Sequence, residues 1–403
     1  MNLTTDERVP MKNLAKPLKI GLVAGEASGD KLGAALIEAL RPHLPEARFV
    51  GIAGPRMQEL GAESWFPMER LSVHGLIEVV RHLPGLWRLR KALIQRMQDE
   101  GVALCVGIDA PDFTLGMEQA LKQSGMRTVH FVSPSVWAWR RGRIPKIGAS
   151  VHRVLTLFPF EPPLYEAHGI PVTYVGHPAA QRAADEESRA RARAALRCTG
   201  GAPVFALLPG SRMSELKHHT VLLVETAQRI KRALPEARFL VPMVSPEARA
   251  HFETLRAAGT RAEVPLTLID GRAEEILQAA DVGLVASGTA TLEAALARCP
   301  HIIFYRAPAV TVWIVKQMLE VPWVGLPNVL AQRFIAPELI QEAATPEALA
   351  DEALKLYRDE PRRREIEAAF SEMAQTLKVD TGARAAEAVL GELALARGGA
   401  EEH

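Results

Sequence analysis

Short apolar runs recur along the chain, and the stretches between them carry apolar residues at helical spacing. In the first half the runs lie at 19–24, 48–53, 103–108, 128–132, 154–158 and 173–175. In the second half they lie at 204–208, 238–241, 266–269, 282–286 and 301–305. They are rich in Val, Ile and Leu, without strict polar alternation, which marks strands covered on both faces. Between the first two, Leu32, Ala35, Leu36, Ala39 and Leu40 trace the stripe of an amphipathic helix. Strand–helix alternation of this kind predicts parallel α/β sheets.

The series is interrupted once. The stretch QRAADEESRARARAALR (181–197) is charged and poor in β-branched residues, so a domain boundary is expected just before it, near His177-Pro178. Two successive α/β domains follow, 18–180 and 181–364, with an Ala/Glu/Arg-rich helical tail that includes 365–395. Each domain opens with a strand and a glycine-containing turn, which predicts two Rossmann-like sheets with a cleft between them.

Composition narrows the function classes. A chain of 403 residues exceeds one ordinary core, which agrees with two domains. The formal net charge of +1 provides no global field to recruit nucleic acid. Cys105, Cys198 and Cys299 stand far apart with no metal-ligand spacing, an arrangement suited to a reducing cytosol. The opening MNLTTDERVPMKNLAKP carries acids and has no apolar core segment, so it does not read as a signal peptide. No run of about 18 apolar residues occurs to span a membrane.

The first glycine-rich turn, VAGEASGDKLG (23–33), invites a phosphate-loop reading that its spacing refuses. Gly25 and Gly29 are one residue too close, Asp30 precedes Lys31, and Leu32 stands where a metal-binding hydroxyl belongs. Gly21, Gly25, Gly29 and Gly33 are each four apart, which also fails the dinucleotide fingerprint. Glu26 and Asp30 would repel a diphosphate. The turn reads either as a plain strand-to-helix connection capped by Ser28 or as the lining of a cleft for another ligand.

The second half carries better phosphate chemistry. LLPGSR (207–212) follows a strand and gathers Gly210, Ser211 and the fixed cation Arg212. ASGTATLE (286–293) also follows a strand and opens a helix whose free N–H groups and dipole suit a diphosphate. Ser287, Gly288 and Thr289 form its turn, and Glu293 lies one helical turn further, within reach of a ribose diol. Ordinary capping by Ser287 and Thr289 is the competing reading. In the first half, Asp109 of GIDAPDF ends a strand at the expected cleft, where a carboxylate would serve as general base. Asp112 reads as a cap, and His218-His219 as a solvated helix face.

Seven motifs, VAGEASGD (23–30), FVGIAGPRM (49–57), VGIDAPDF (106–113), VSPSVWAWR (132–140), LLPGSR (207–212), SGTATLE (287–293) and LPN (326–328), together resemble the bacterial lipid-A-disaccharide synthase family. The resemblance runs from about Leu18 to the C-terminal helices. It implies a GT-B fold whose C-terminal helices return towards the N-terminal domain or exchange between subunits of a homodimer. It further implies an inverting, metal-independent glycosyltransferase with no cofactor. The implied substrates are UDP-2,3-diacylglucosamine and 2,3-diacylglucosamine 1-phosphate, and the products are the β-1,6-linked disaccharide phosphate and UDP. The family's catalytic aspartate falls on Asp109. Its UDP site falls on Gly210, Ser211, Arg212, Ser287, Gly288, Thr289, Glu293 and Asn328. Ser28, Gly29, Asp30, Ser133, Trp139 and Arg140 are then expected on the acceptor side.

Acylated substrates give a further segment a meaning. In LIEVVRHLPGLWRLRK (76–91), Leu76, Val79, Val80, Leu83, Leu86 and Trp87 are interleaved with basic residues. Such a surface suits peripheral contact with the cytoplasmic face of an anionic inner membrane; the alternative is a pair of core helices broken at Pro84-Gly85. WAWRRGRIPK (137–146) is better matched to an acceptor phosphate or headgroups than to nucleic acid. Two other functions would keep the nucleotide turns: a UDP-N-acetylglucosamine 2-epimerase relative, releasing no UDP, and a non-catalytic binding protein.

Overall fold

The computed structural model describes residues 17–71, 76–138, 141–198, 200–260, 263–308 and 322–398. They fall into two compact units. The first comprises the described residues up to Val136, Arg141–Val175 and those from Asp380 on. The second takes Gly176–Val379 together with Trp137 and Ala138.

In chain order the first unit contains β1 (Lys19–Ala24), α1 (Ala27–Leu40), β2 (Arg48–Ile52), α2 (Pro55–Glu59), β3 (Glu63–Ser64), α3 (Leu76–Asp99), β4 (Leu104–Ile108), α4 (Pro111–Gln123), β5 (Arg127–Phe131), α5 (Ile144–Ser150), β6 (Arg153–Thr156), α6 (Pro162–Glu166) and β7 (Val172–Tyr174). The second continues with α7 (Ser188–Ala195), β8 (Val204–Leu208), α8 (Met213–Ala233), β9 (Arg238–Met243), α9 (Pro246–Gly259), β10 (Leu266–Asp270), α10 (Ala273–Ala279), β11 (Val282–Ala286), α11 (Thr289–Leu296), β12 (His301–Tyr305), α12 (Leu326–Ala331), β13 (Glu338–Ile340), α13 (Pro346–Arg358) and α14 (Glu360–Leu377). The last helix, α15 (Thr381–Gly398), belongs to the first unit.

The first sheet has the order β3-β2-β1-β4-β5-β6-β7 and the second β10-β9-β8-β11-β12-β13. Every pairing is parallel, with Ala24 opposite Ile108 in the first sheet and Val285 opposite Leu208 in the second. Burial explains the unbroken apolar runs: β4, β8 and β11 are buried throughout. In an open parallel sheet, ligands bind beyond the carboxyl ends of the strands where the order reverses. Here those points are β1/β4 in the first unit and β8/β11 in the second.

Helices cover the sheets through apolar stripes. Leu32, Leu36, Ile37 and Leu40 of α1 share one core cluster with Ala385, Ala386, Val389 and Leu393 of α15. The last helix thus returns to the N-terminal unit, as the family resemblance implies. Helix α3 runs unbroken through Pro84, so the expected break at Pro84-Gly85 is absent. Its later turns bury Leu89, Leu93 and Met97 in the same core, while Trp87 stays 67% exposed. No helix among the described residues is long and apolar enough to cross a membrane.

Candidate active site

The first switch point is built from a close approach of backbone. A Cβ added at Gly25 would lie 2.8 Å from the Cβ of Ala110, so only glycine lets the turn after β1 lie against the turn after β4. Asp109 and Ala110 both have positive φ, 57° and 47°, a region that costs an L-residue about 1–2 kcal/mol. Three hydrogen bonds that involve side chains help to hold them there. The Ala110 N–H donates to Asp109 Oδ1 at 2.8 Å, and the Thr114 hydroxyl donates to the carbonyls of Asp109 and Ala110 at 2.8 and 3.0 Å. The half-buried Asp109 carboxylate therefore sits at the lip of the sheet with one oxygen oriented.

Not every motif residue faces that lip. Ser28 is exposed and Gly29 buried against Ile108, and Glu26, not Ser28, occupies the N-cap of α1. Asp30 is turned inward, with 2% exposure. Its two oxygens accept from the N–H groups of Arg56 and Met57 at 2.9 and 3.1 Å, satisfying donors at the start of α2. It anchors the neighbouring helix, so its expected place on the acceptor side is corrected. Ser133 is also buried. Its hydroxyl lies 2.7 Å from the Tyr165 hydroxyl and donates to the Pro134 carbonyl, which corrects its role in the same way. Beside it, burial lifts the Glu161 carboxyl to about 8. Trp139 and Arg140 lie outside the described residues. So do the side chains of Leu76, Val79, Val80 and Leu83, whose backbone forms the start of α3. Leu86 is half-buried against the core, and among the described side chains of the segment Trp87 is the exposed large apolar group.

The second switch point opens onto a cavity of about 750 Å³. Gly210, Ser211, Arg212, Ser287, Gly288, Thr289 and Glu293 all line it, so the structure brings together the two turns that stand 75 positions apart in sequence. Gly288 is the N-cap of α11, and among the described residues no side-chain cap hydrogen bond is formed there. The Ser287 hydroxyl instead donates to the Val324 carbonyl at 3.3 Å. The capping alternative thus fails here, and α11 presents uncapped donors.

Helix α8 behaves differently, through a residue that the sequence reading missed. Glu215 Oε2 accepts from the N–H groups of Ser211 and Arg212 at 2.9 and 3.1 Å. The signal was present as an Arg-x-x-Glu spacing at a helix start, the form of a capping box. The Ser211 and Arg212 N–H groups are therefore taken, and the Arg212 guanidinium, with its side chain 76% exposed and 3.7 Å from Glu215, is what the turn's side chains offer to an anion. Gly210 is required here twice over. Its φ is 103°, and a Cβ would fall 2.3 Å from Glu215 Oε2.

Two more expectations are corrected in this unit. Asn328 is fully buried and outside the cavity lining. Its Nδ2 donates to the Ala336 carbonyl and Glu338 Oε1, and its Oδ1 accepts from the N–H groups of Ile335 and Ala336. Those four bonds use the whole amide, so it shapes the wall through Glu338, which does line the cavity. His219 is not on a solvated face either. It is buried, with Nδ1 donating to the Pro209 carbonyl at 2.7 Å and Nε2 accepting from the Arg306 N–H at 3.0 Å. Burial holds its pKa below the usual histidine range. Tyr305, Trp323 and Val324 add apolar wall. Among the described residues no three His, Cys, Asp or Glu side chains converge as metal ligands.

Two parallel-sheet units, each with a crevice at its switch point and one with an anion-ready cavity, define the GT-B class. Solved structures agree on the fold. A UDP-GlcNAc 2-epimerase from Neisseria meningitidis bound to UDP-GlcNAc superposes with TM-score 0.54 at 10% identity, over 94% of this chain and 99% of that one. A glycosyltransferase from Rickettsia africae ESF-5 gives 0.54 at 12%, over 95% and 99%. Within that class the sequence is more specific. The family described as lipid-A-disaccharide synthetase matches residues 20–391. The lipid-A-disaccharide synthase of Dechloromonas aromatica (strain RCB) is 48% identical over 378 residues, covering 94% of this chain and 99% of the other. The chain belongs to the lipid-A-disaccharide synthetase family.

Proposed function

We propose that the protein forms the lipid A disaccharide by an inverting, metal-independent displacement. It joins UDP-2,3-diacylglucosamine to 2,3-diacylglucosamine 1-phosphate and releases UDP. The observation that carries the nucleotide half is the pairing, around one cavity, of an uncapped α11 N-terminus with the exposed Arg212 guanidinium. Together they would neutralise the diphosphate as it leaves. Glu293, in the second turn of α11, would accept from the ribose diol. The UDP-GlcNAc named with one fold neighbour is in keeping with this.

In the other unit, Asp109 takes the proton of the acceptor 6-hydroxyl as that oxygen attacks the anomeric carbon. The C–O bond to UDP breaks in the same step, so the configuration inverts. Exposed Trp87 on a basic helix supports peripheral attachment to the inner membrane, and we take the working form to be a homodimer. The test is UDP release in detergent micelles with both acylated glucosamines, with and without EDTA. Release that needs both substrates and survives EDTA is expected. No release with both present would sink the reaction, and sensitivity to EDTA would sink the metal-free step.

A further inference from the structure

On the edge of the first sheet opposite Asp109, where β5 and β6 begin, lies a second concavity of about 570 Å³. Three cations line it, Lys122, Arg127 and Arg153, with His152 and His168. One carboxylate, Glu392 of α15, answers them. It is 1% exposed and is held by Arg127 Nη2 and by Arg153 Nε at 2.9 Å. Three cations against one anion leave a local charge of +2. Among the described residues Lys122 is in no salt bridge. Its ammonium donates to the carbonyls of Gly148 and Val151 at the end of α5.

Donors are left over as well as charge. Arg127 Nε is buried with no hydrogen-bond partner among the described residues, an arrangement that folded proteins rarely leave unanswered. His152 Nδ1 accepts from the Thr128 N–H at 3.1 Å, which fixes the ring hydrogen on Nε2. Burial, and then the charges of Arg127 and Lys122, hold His152 down at about 4. Burial and Arg127 also lower Lys122. A compact anion would satisfy the donors and relieve the mutual repulsion of the cations. Exposed Leu395 at the rim leaves room for an apolar neighbour of that anion.

We propose that this cavity is a second binding site, separate from the nucleotide cavity, for a phosphate monoester group held by Arg127, Arg153, Lys122 and His152. Forked guanidinium donors match phosphate oxygens better than they match a halide. The phosphate is carried either by a lipid headgroup or by a small soluble ester.

The test follows the His152 imidazole by NMR in full-length protein labelled with 13C-histidine, its signal assigned from its loss in His152→Gln. Inorganic phosphate and dihexanoyl phosphatidic acid are titrated separately at low ionic strength, with chloride as control. Saturable binding should raise the His152 pKa by about one unit or more, because an anion nearby favours the imidazolium. Arg127→Gln should abolish the response and Arg127→Lys retain part of it, with UDP release unchanged in both. Lys122→Met provides a second loss variant should Arg127→Gln fold poorly. A larger response to the lipid assigns the phosphate to a headgroup, and an equal one to a soluble ester. No saturable shift with either probe below about 10 mM, or a shift unaltered in both loss variants, overturns the proposal.

Discussion

Asp109→Asn separates chemistry from shape at the end of β4. The wild-type side chain does two jobs: one oxygen accepts from the Ala110 N–H, and the carboxylate is the proposed base. Asparagine keeps the acceptor oxygen and is among the few residues that tolerate a φ of 57°. Stability should therefore change by less than about 1 kcal/mol. Loss of a general base should lower kcat by about 10²–10⁴-fold, which is about 3–5.5 kcal/mol of barrier. Asp109→Ala removes the acceptor and the conformational tolerance as well, adding about 1–2 kcal/mol of destabilisation. The two variants should thus agree in turnover and differ in urea midpoint. UDP release gives the rate, and calorimetry gives UDP affinity, which both variants should retain. An Asn variant with more than about a tenth of wild-type turnover would refute Asp109 as the base, since no base worth about 10²-fold would have been lost.

Gly210→Ala places a Cβ 2.3 Å from Glu215 Oε2 at a φ of 103°. It should cost about 1–3 kcal/mol in urea unfolding and weaken UDP binding at least tenfold by calorimetry; unchanged affinity would remove this turn from the nucleotide site. His301 is fully buried, donates through Nδ1 to the Cys299 carbonyl, and has its pKa pushed down from 6.5 to about 4 by burial. The folded state thus resists a proton that the unfolded state accepts, so its stabilising contribution is complete above pH 6.5 and falls away towards pH 4. The slope is about 1.4 kcal/mol per pH unit and the total about 3 kcal/mol. His301→Phe should flatten the stability–pH curve over that window, and identical slopes would count against the reasoning. Trp87→Glu with Leu86→Glu should reduce sedimentation with phosphatidylglycerol vesicles several-fold at low salt, and undiminished binding would place membrane contact elsewhere.

Legibility differed between strand and side chain. All eleven apolar runs became strands within a residue or two, because a buried parallel strand is marked by bulk alone. Glu63–Ser64 and Glu338–Ile340 escaped notice. They are edge strands of two and three residues, without a buried position, and pairing with a neighbour, not composition, makes them strands. Side-chain direction was harder to read. Asp30, Ser133 and Asn328 sit in the motifs that make the family recognisable, yet each spends its polar atoms on backbone or a neighbouring protein side chain. A short polar residue at a turn reads the same whether it grips a ligand or grips the turn. His219 shows the converse, since what defines its work is a pair of bonds, to the Pro209 carbonyl and from the Arg306 N–H, that no local spacing encodes.

The return of α15 to the first unit has a consequence for synthesis. A ribosome delivers α1 early, but the α15 members of its core cluster, Ala385, Ala386, Val389 and Leu393, emerge only after the whole second unit. Joining helices separated by roughly 350 residues carries a loop-closure entropy cost near 5 kcal/mol for a flexible chain. The intervening second unit shortens that loop only once it has folded. The unit that begins first is therefore finished last, and the C-terminal helix acts as its keystone.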